Sequence, residues 1–225
     1  MTFWIASFSG LAIAYFLGSI PTGYLAGRFL KGVDLRELGS GSTGATNVLR
    51  TLGQGPFWAV LAIDILKGGA AVFFARWFYP WLAALPTVAV PSSLAEVAWT
   101  PWAVALAGLA ALVGHARPIW LNFQGGKSVA AGLGLLIAMA WPVGLFSLLA
   151  FGIVLAISRI MSLSSMVAAL TAIALVCVLD QPSPYRLLVI LGGAYVILRH
   201  RANIRRLLAG TEPRLGQGGA AGGGV

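Results

Sequence analysis

Three polar islands interrupt an otherwise apolar chain, and each carries groups suited to holding phosphate. The run DLRELGSGSTGATNVLR, residues 34–50, combines glycines with hydroxyls, an amide and a guanidinium. Gly39, Gly41 and Gly44 lack Cβ and can reach φ > 0, so successive N–H groups could converge on one oxygen. Ser40, Ser42, Thr43, Thr46 and Asn47 add polar side chains, and Arg50 adds a fixed positive fork. Taken alone, such a run is equally a flexible connector between helices.

The second island, GHARPIWLNFQGGKS, spans residues 114–128. Gly125 and Gly126 precede Lys127 at the expected start of a helix, where backbone N–H groups and the helix dipole favour an anion. A nucleotide-binding P-loop is excluded because its first glycine would fall at Leu121. Lys127 by itself also fits a basic flank of a membrane helix, and His115 a polar helix end. The third island, RHRANIRRLLAGTE, covers residues 199–212. If the preceding helix continues, His200, Asn203 and Arg206 are three residues apart and share one face. A basic stop-transfer flank explains the arginines, but not the histidine and asparagine.

The elements that position these islands follow from composition. Of 225 residues, 59% are hydrophobic and 9% charged, and the mean hydropathy is +0.89. These values exclude an ordinary soluble domain, in which about a quarter of residues are charged. About 20 apolar residues make a spanning helix. That template fits seven times, near residues 3–27, 56–79, 101–116, 128–141, 143–158, 161–179 and 186–199. Trp141 and Pro142 mark the break between the fourth and fifth spans. The expected fold is an all-α integral membrane protein of seven helices, with one membrane domain over residues 1–215 and a disordered Gly-rich tail over 216–225. The first apolar stretch reads as a retained helix rather than a signal peptide.

Charge gives the orientation. Of the 15 lysines and arginines, Lys67 lies inside a span and only Arg76 and Arg186 flank one side. The other twelve flank the opposite side, which the positive-inside rule makes cytoplasmic. The N-terminus is then outside and the C-terminus inside. All three polar islands face the cytoplasm. The net charge of +9 therefore reads as topology rather than nucleic-acid binding, because the basic residues are dispersed at helix ends. Cys177, the single cysteine, cannot form an internal disulfide and reads as lipid-facing or packing.

Two further polar features sit within spans. Asp64 and Lys67 lie inside the second helix, where such charges must face the bundle interior or a wet cleft. They are expected either to pair as scaffold or to help hold a substrate. SLSS, residues 162–165, opens the sixth helix, and Ser164 and Ser165 offer either caps or hydroxyls for a phosphate. The sequence carries no G-x-S-x-G elbow, no H-E-x-x-H and no H-x-x-x-x-D. With six acidic residues and one cysteine, neither a metal cage nor another cofactor is expected.

Taken together and in order, GSGSTGATNVLRTLG, DILKG, GHARPIWLNFQGGKSVA, SLSS and HRANIRRLLAGTE resemble the signatures of the bacterial PlsY family, the acyl-phosphate:glycerol-3-phosphate acyltransferases. The resemblance implies a seven-helix enzyme of the bacterial cytoplasmic (inner) membrane with its active site facing the cytoplasm. It implies transfer of a fatty acyl group from acyl phosphate to the 1-hydroxyl of glycerol 3-phosphate, giving lysophosphatidic acid for phospholipid synthesis. The implied partners are these substrates, the lipid bilayer and an enzyme that forms acyl phosphate.

The resemblance maps catalytic roles onto Ser40, Arg50, Lys127, His200 and Asn203. Gly41, Thr46, Asn47, Gly125, Gly126, Ser164, Ser165, Arg206 and Glu212 are expected to bind substrate, with Asp64, Lys67 and His115 supporting the site. The pattern leads to an expected asparagine where Ser42 stands, and to FKGGKG where this chain has Gln124 and Ser128. Either His200 or a substrate phosphate oxygen would accept the hydroxyl proton, and the resemblance favours the substrate. A small anion or phosphate-ester transporter is the alternative reading, but its site should lie near the midplane rather than on one face.

Overall fold

A computed structural model describes residues 1–95 and 99–216. Residues 217–225, nearly all of the expected tail, lie outside the described residues. Every regular element among the described residues is helical. They are α1 (Thr2–Ser19), α2 (Thr22–Lys31), α3 (Ala45–Leu52), α4 (Gln54–Ala84), α5 (Ser92–Ala95), α6 (Trp99–Ala116), α7 (Val129–Met139), α8 (Trp141–Ser158), α9 (Met161–Val178), α10 (Ser183–Arg199) and α11 (Arg201–Leu208), with a 3₁₀ turn at Ile119–Leu121.

Among the described residues, five helical stretches are long and apolar enough to cross a membrane: Thr2–Lys31, Gln54–Ala84, Trp99–Leu121, Trp141–Ser158 and Met161–Val178. A sixth follows if α10 and α11, bent by 55° at their junction, are counted as one. The expected fourth span is shorter than residues 128–141. α7 has 11 residues, about 16 Å at 1.5 Å per residue, against a hydrocarbon core of about 30 Å. Pro142 falls in the first turn of α8, where its missing N–H costs no helical bond, so the break lies where the sequence placed it.

Three expectations need correcting. The first span is broken at Ile20–Pro21, because proline disfavours the helical conformation in the residue before it, and Ile20 has ψ 115°. The second continues through Pro80 to Ala84 instead of ending at residue 79. The connector reading of residues 34–50 gives way to an ordered loop and a helix, α3. Its apolar Ala45, Val48, Leu49 and Leu52 pack with Leu35, Phe57 and Val60 in a small cluster of their own, while Arg50 stays exposed.

The main core lies between α1, α4, α6, α7, α9 and α10, around Ala71, Val72, Tyr79, Val104, Ala107, Leu135, Val176 and Leu188. Close backbone approach fixes two crossings. A Cβ on Gly68 would strike Ala131 O and one on Gly134 would strike Ile65 O, so α4 and α7 touch reciprocally; Gly18 and Gly114 meet Ala111 O and Tyr15 O in the same way. Small residues at such contacts let apolar helices pack where lipid offers no hydrophobic drive. Outward faces carry large exposed apolar side chains, among them Phe8, Phe73, Trp77, Ile157 and Val178. Cys177 is exposed, so of its two readings the structure takes the outward one.

Candidate active site

The first island is a loop organised by one buried amide. Asn47, 1% exposed, donates Nδ2–H towards Leu35 O (3.1 Å), Leu38 O (2.9 Å) and Ser42 O (2.9 Å), and its Oδ1 accepts from Ser40 N (3.0 Å). Gly39 has φ 59°, and a Cβ there would fall on Asn47 Oδ1, so only glycine fits. Asn47 thus holds the loop from inside, with its polar atoms engaged by backbone. Ser40 and Gly41 are left exposed on the loop crest, and Thr46 is half-buried in the first turn of α3. Ser42 Oγ accepts from Gly44 N at 3.3 Å. An asparagine makes the same local turn, so this departure from the expected motif keeps the loop's chemistry.

The loop is tied down at both ends. Asp34 is buried and pairs with Arg36 at 2.6 Å and Arg28 at 3.4 Å. The hydrogen bond from Arg36 outweighs burial and lowers the Asp34 carboxyl to about 2. Both guanidinium groups lie over the Tyr24 ring, and Arg36 also reaches Leu121 O in the second island (3.4 Å). Lys31 Nζ donates to Thr51 O at 2.8 Å near the end of α3.

The second and third islands meet in one network. Lys127 Nζ donates to Asn203 Oδ1 (2.6 Å), and Asn203 Nδ2 donates to Glu212 Oε1 (2.6 Å). Glu212 also accepts from Ser162 Oγ (2.8 Å) and, on Oε2, from Arg206 Nε (2.6 Å). Burial pushes the Glu212 carboxyl up, but these three hydrogen bonds outweigh it and hold it below the ordinary value. Burial pushes the Lys127 ammonium down; Glu212 pulls it back, and Arg206, Arg50 and Arg199 push it down again, to about 8. That coupling puts Arg50 of the first island in the electrostatic field of the other two. Lys127, through Asn203, and Arg206 thus share the Glu212 carboxylate, with Arg199 on Gly126 O at 3.3 Å. Among the described residues, Lys127, Arg50 and Arg199 form no ion pair.

His200 sits at the α10–α11 bend and is 3% exposed. The helix does not continue straight, so the single polar stripe expected from 200 to 206 is divided. Asn203 and Arg206 share α11, while His200 ends α10. Its Nδ1 lies 2.7 Å from Val196 O. A carbonyl only accepts, so Nδ1 carries hydrogen and Nε2 is the nitrogen left to act.

Several expected ligands are engaged within the chain. Gly125 N and Gly126 N donate to Ala116 O (3.2 Å) and His115 O (3.1 Å), so these two amides close the end of α6 rather than face an anion. Ser164 and Ser165 donate back to Ile160 O and Met161 O within α9, and Ser162 is the serine that joins the network. Ser128, where the motif leads one to expect glycine, has φ 61°, in the left-handed region that favours glycine. Its Oγ donates to Leu112 O at 3.0 Å. Below the site Asp64 pairs with Lys67 (2.7 Å) and accepts from Thr22 Oγ1 (2.6 Å), while Lys67 reaches Ile20 O (2.8 Å). These bonds brace the α1–α2 break, which supports the scaffold reading of Asp64 and Lys67. Among the described residues, no three His, Cys, Asp or Glu side chains cluster to hold a metal.

The model of the glycerol-3-phosphate acyltransferase family matches residues 8–210. The chain belongs to that family. It is 67% identical over 217 residues to glycerol-3-phosphate acyltransferase 2 of Rhizobium johnstonii, covering 96% of this chain and 99% of that one. It is 54% identical over 207 residues to the glycerol-3-phosphate acyltransferase of Trichormus variabilis, covering 92% and 91%. Two crystal structures of PlsY (YgiH), an integral membrane glycerol 3-phosphate acyltransferase, share the fold. The glycerol 3-phosphate form has a TM-score of 0.77 at 38% identity, with 93% and 96% coverage. The lysophosphatidic acid form has 0.75 at 36%, with 93% and 95%. Two side chains outside the mapped set join these contacts, Arg199 at Gly126 O (3.3 Å) and Ser162 at Glu212 Oε1 (2.8 Å). In the sequence Arg199 reads as a topological arginine, and Ser162 of SLSS reads as a cap or a phosphate hydroxyl, its partner lying 50 positions away.

Proposed function

We propose that this acyltransferase moves a fatty acyl group from acyl phosphate to the 1-hydroxyl of glycerol 3-phosphate, giving lysophosphatidic acid and inorganic phosphate. The observation that carries this reading is Lys127 joined through Asn203 to the carboxylate of Glu212, with Arg206 on the same carboxylate and Arg199 on Gly126 O, so that cations outnumber the acid. Such an excess of cations suits two phosphate-bearing substrates brought together. In the reaction a bond forms between the glycerol oxygen and the acyl carbon, and the bond from that carbon to phosphate oxygen breaks. The leaving group is already good, so positioning and charge stabilisation do most of the work.

Lys127 and Arg50 neutralise phosphate oxygens and the oxyanion that develops on the carbonyl. Ser40, on the exposed crest of its loop, donates a hydroxyl hydrogen bond, with Gly41 and Thr46 beside it. Asn203 and Glu212 hold Lys127 and Arg206 in place. His200 Nε2 orients glycerol 3-phosphate, and the hydroxyl proton passes to a substrate phosphate oxygen, leaving as part of the phosphate product. Seven membrane passes, with α7 as a short one, put the N-terminus outside and the site on the cytoplasmic face of the bacterial inner membrane, where an acyl-phosphate-forming enzyme supplies the donor.

The test compares acyl phosphate, acyl coenzyme A and acyl carrier protein donors with labelled glycerol 3-phosphate. Labelled lipid should form with acyl phosphate alone. Lipid formed equally well from a thioester donor would overturn the proposed donor.

A further inference from the structure

We propose that His115 is a positioning residue for the Gly125–Lys127 loop, setting where the Lys127 ammonium stands by steric contact with Gly126. The proposal rests on the reading of that loop as part of the acyl-transfer site. His115 ends α6 and is 7% exposed. A Cβ built on Gly126 would land on His115 Nε2, with Cδ2 and Cε1 each 3.0 Å away. Gly126 has no left-handed backbone angle, and the three atoms nearest that Cβ position all belong to the imidazole. At Gly125 the situation differs, because a Cβ there would meet His115 O, the Ala116 backbone and Pro118 Cδ.

The imidazole is held from behind. Its Nδ1 faces Asp64 Oδ1 at 3.7 Å, and Nδ1 and Asp64 Oδ2 are buried without a hydrogen-bond partner. Asp64 is itself locked by Lys67 and Thr22, so the ring cannot withdraw into the bundle without disturbing that set. The loop is held against it by Gly126 N donating to His115 O and by Arg199 donating to Gly126 O (3.3 Å). A displaced residue 126 carries Lys127 with it.

A size exchange tests this, read as lysophosphatidic acid formation from acyl phosphate and labelled glycerol 3-phosphate, with thermal unfolding in detergent as the measure of folding. Gly126→Ala should lower kcat/KM at least tenfold. Adding His115→Ala should recover at least fivefold of that loss, because the cavity accepts the new methyl. His115→Asn, which keeps a polar group towards Asp64, should rescue in the same way and serves if the alanine variant does not fold. Gly125→Ala should not be rescued by either. Wild-type activity in Gly126→Ala, losses that merely multiply in the double variants, or equal rescue of Gly125→Ala would overturn the positioning role. A wild-type protein that makes no product would instead overturn the acyltransfer reading of the site.

Discussion

Lys127 joins the second island to the third through Asn203 and Glu212. Its pKa is lowered to about 8, so the ammonium is present below that pH and lost as pH rises through it. In the free enzyme kcat/KM should therefore fall above about pH 8, whereas bound phosphate favours the charged form and keeps kcat level to higher pH. Lys127→Arg should remove the alkaline fall, because guanidinium stays charged. Glu212→Gln should move it to lower pH, since Glu212 is the group that raises the Lys127 pKa; rate profiles against pH check all three. For Asn47, which donates to three carbonyls, Asn47→Asp replaces the donor with a second acceptor. It should cost about 2–3 kcal/mol of loop stability and lower activity more than tenfold, read by limited proteolysis and rate.

Much of this was legible in residue types. Asn203 and Glu212 stood in a motif, but the motif could not say that they hold Lys127 rather than the ligand. Asn47 looked like a ligand because a sequence does not show which carbonyls surround an amide. Gly125 and Gly126 read as the lead into a helix start that favours an anion, and only the path of the chain past His115 shows their amides turned to α6.

At the scale of elements, apolar period and length located most helices, and Pro142 marked the α7–α8 break correctly. What the period did not show was α3, whose apolar positions were hidden among glycines and hydroxyls, or the bend at His200. These depend on packing against α4 and on the hydrogen bond of an imidazole to Val196 O. The α4–α7 crossing is a demanding contact, since Gly68 and Gly134 each admit no Cβ without backbone movement. Gly134→Leu should destabilise by at least about 1–3 kcal/mol, the usual range for overpacking, and lower the thermal midpoint in detergent more than Gly132→Leu. Gly132 has only one atom, Leu112 Cδ2, at 3.9 Å from its Cβ position. The short α7 opens beside Lys127, so loosening this crossing should also lower activity in the protein that remains folded.

For the whole molecule, the asymmetry of charge is the feature that joins topology to chemistry. The cations from which the orientation is read also flank the three islands, so the arginines read as topology while the bond from Arg199 to Gly126 O does not show in the sequence. The proposed orientation predicts that, in a Cys177→Ser background, a cysteine at Ala209 is labelled from the cytoplasmic side and one at Thr2 from the opposite side. Labelling of both from one side would contradict it.

Acyl transfer is proposed to occur at Lys127, where the second and third islands meet. The most direct measurement is the rate at which purified protein forms labelled lysophosphatidic acid from acyl phosphate and labelled glycerol 3-phosphate, wild type against Lys127→Gln. Removing one preorganised donor of this kind lowers turnover by about 10²–10³. A loss of that size is expected, with equimolar phosphate release in the wild type and an unchanged thermal midpoint in the variant. A folded Lys127→Gln protein turning over at the wild-type rate would contradict it.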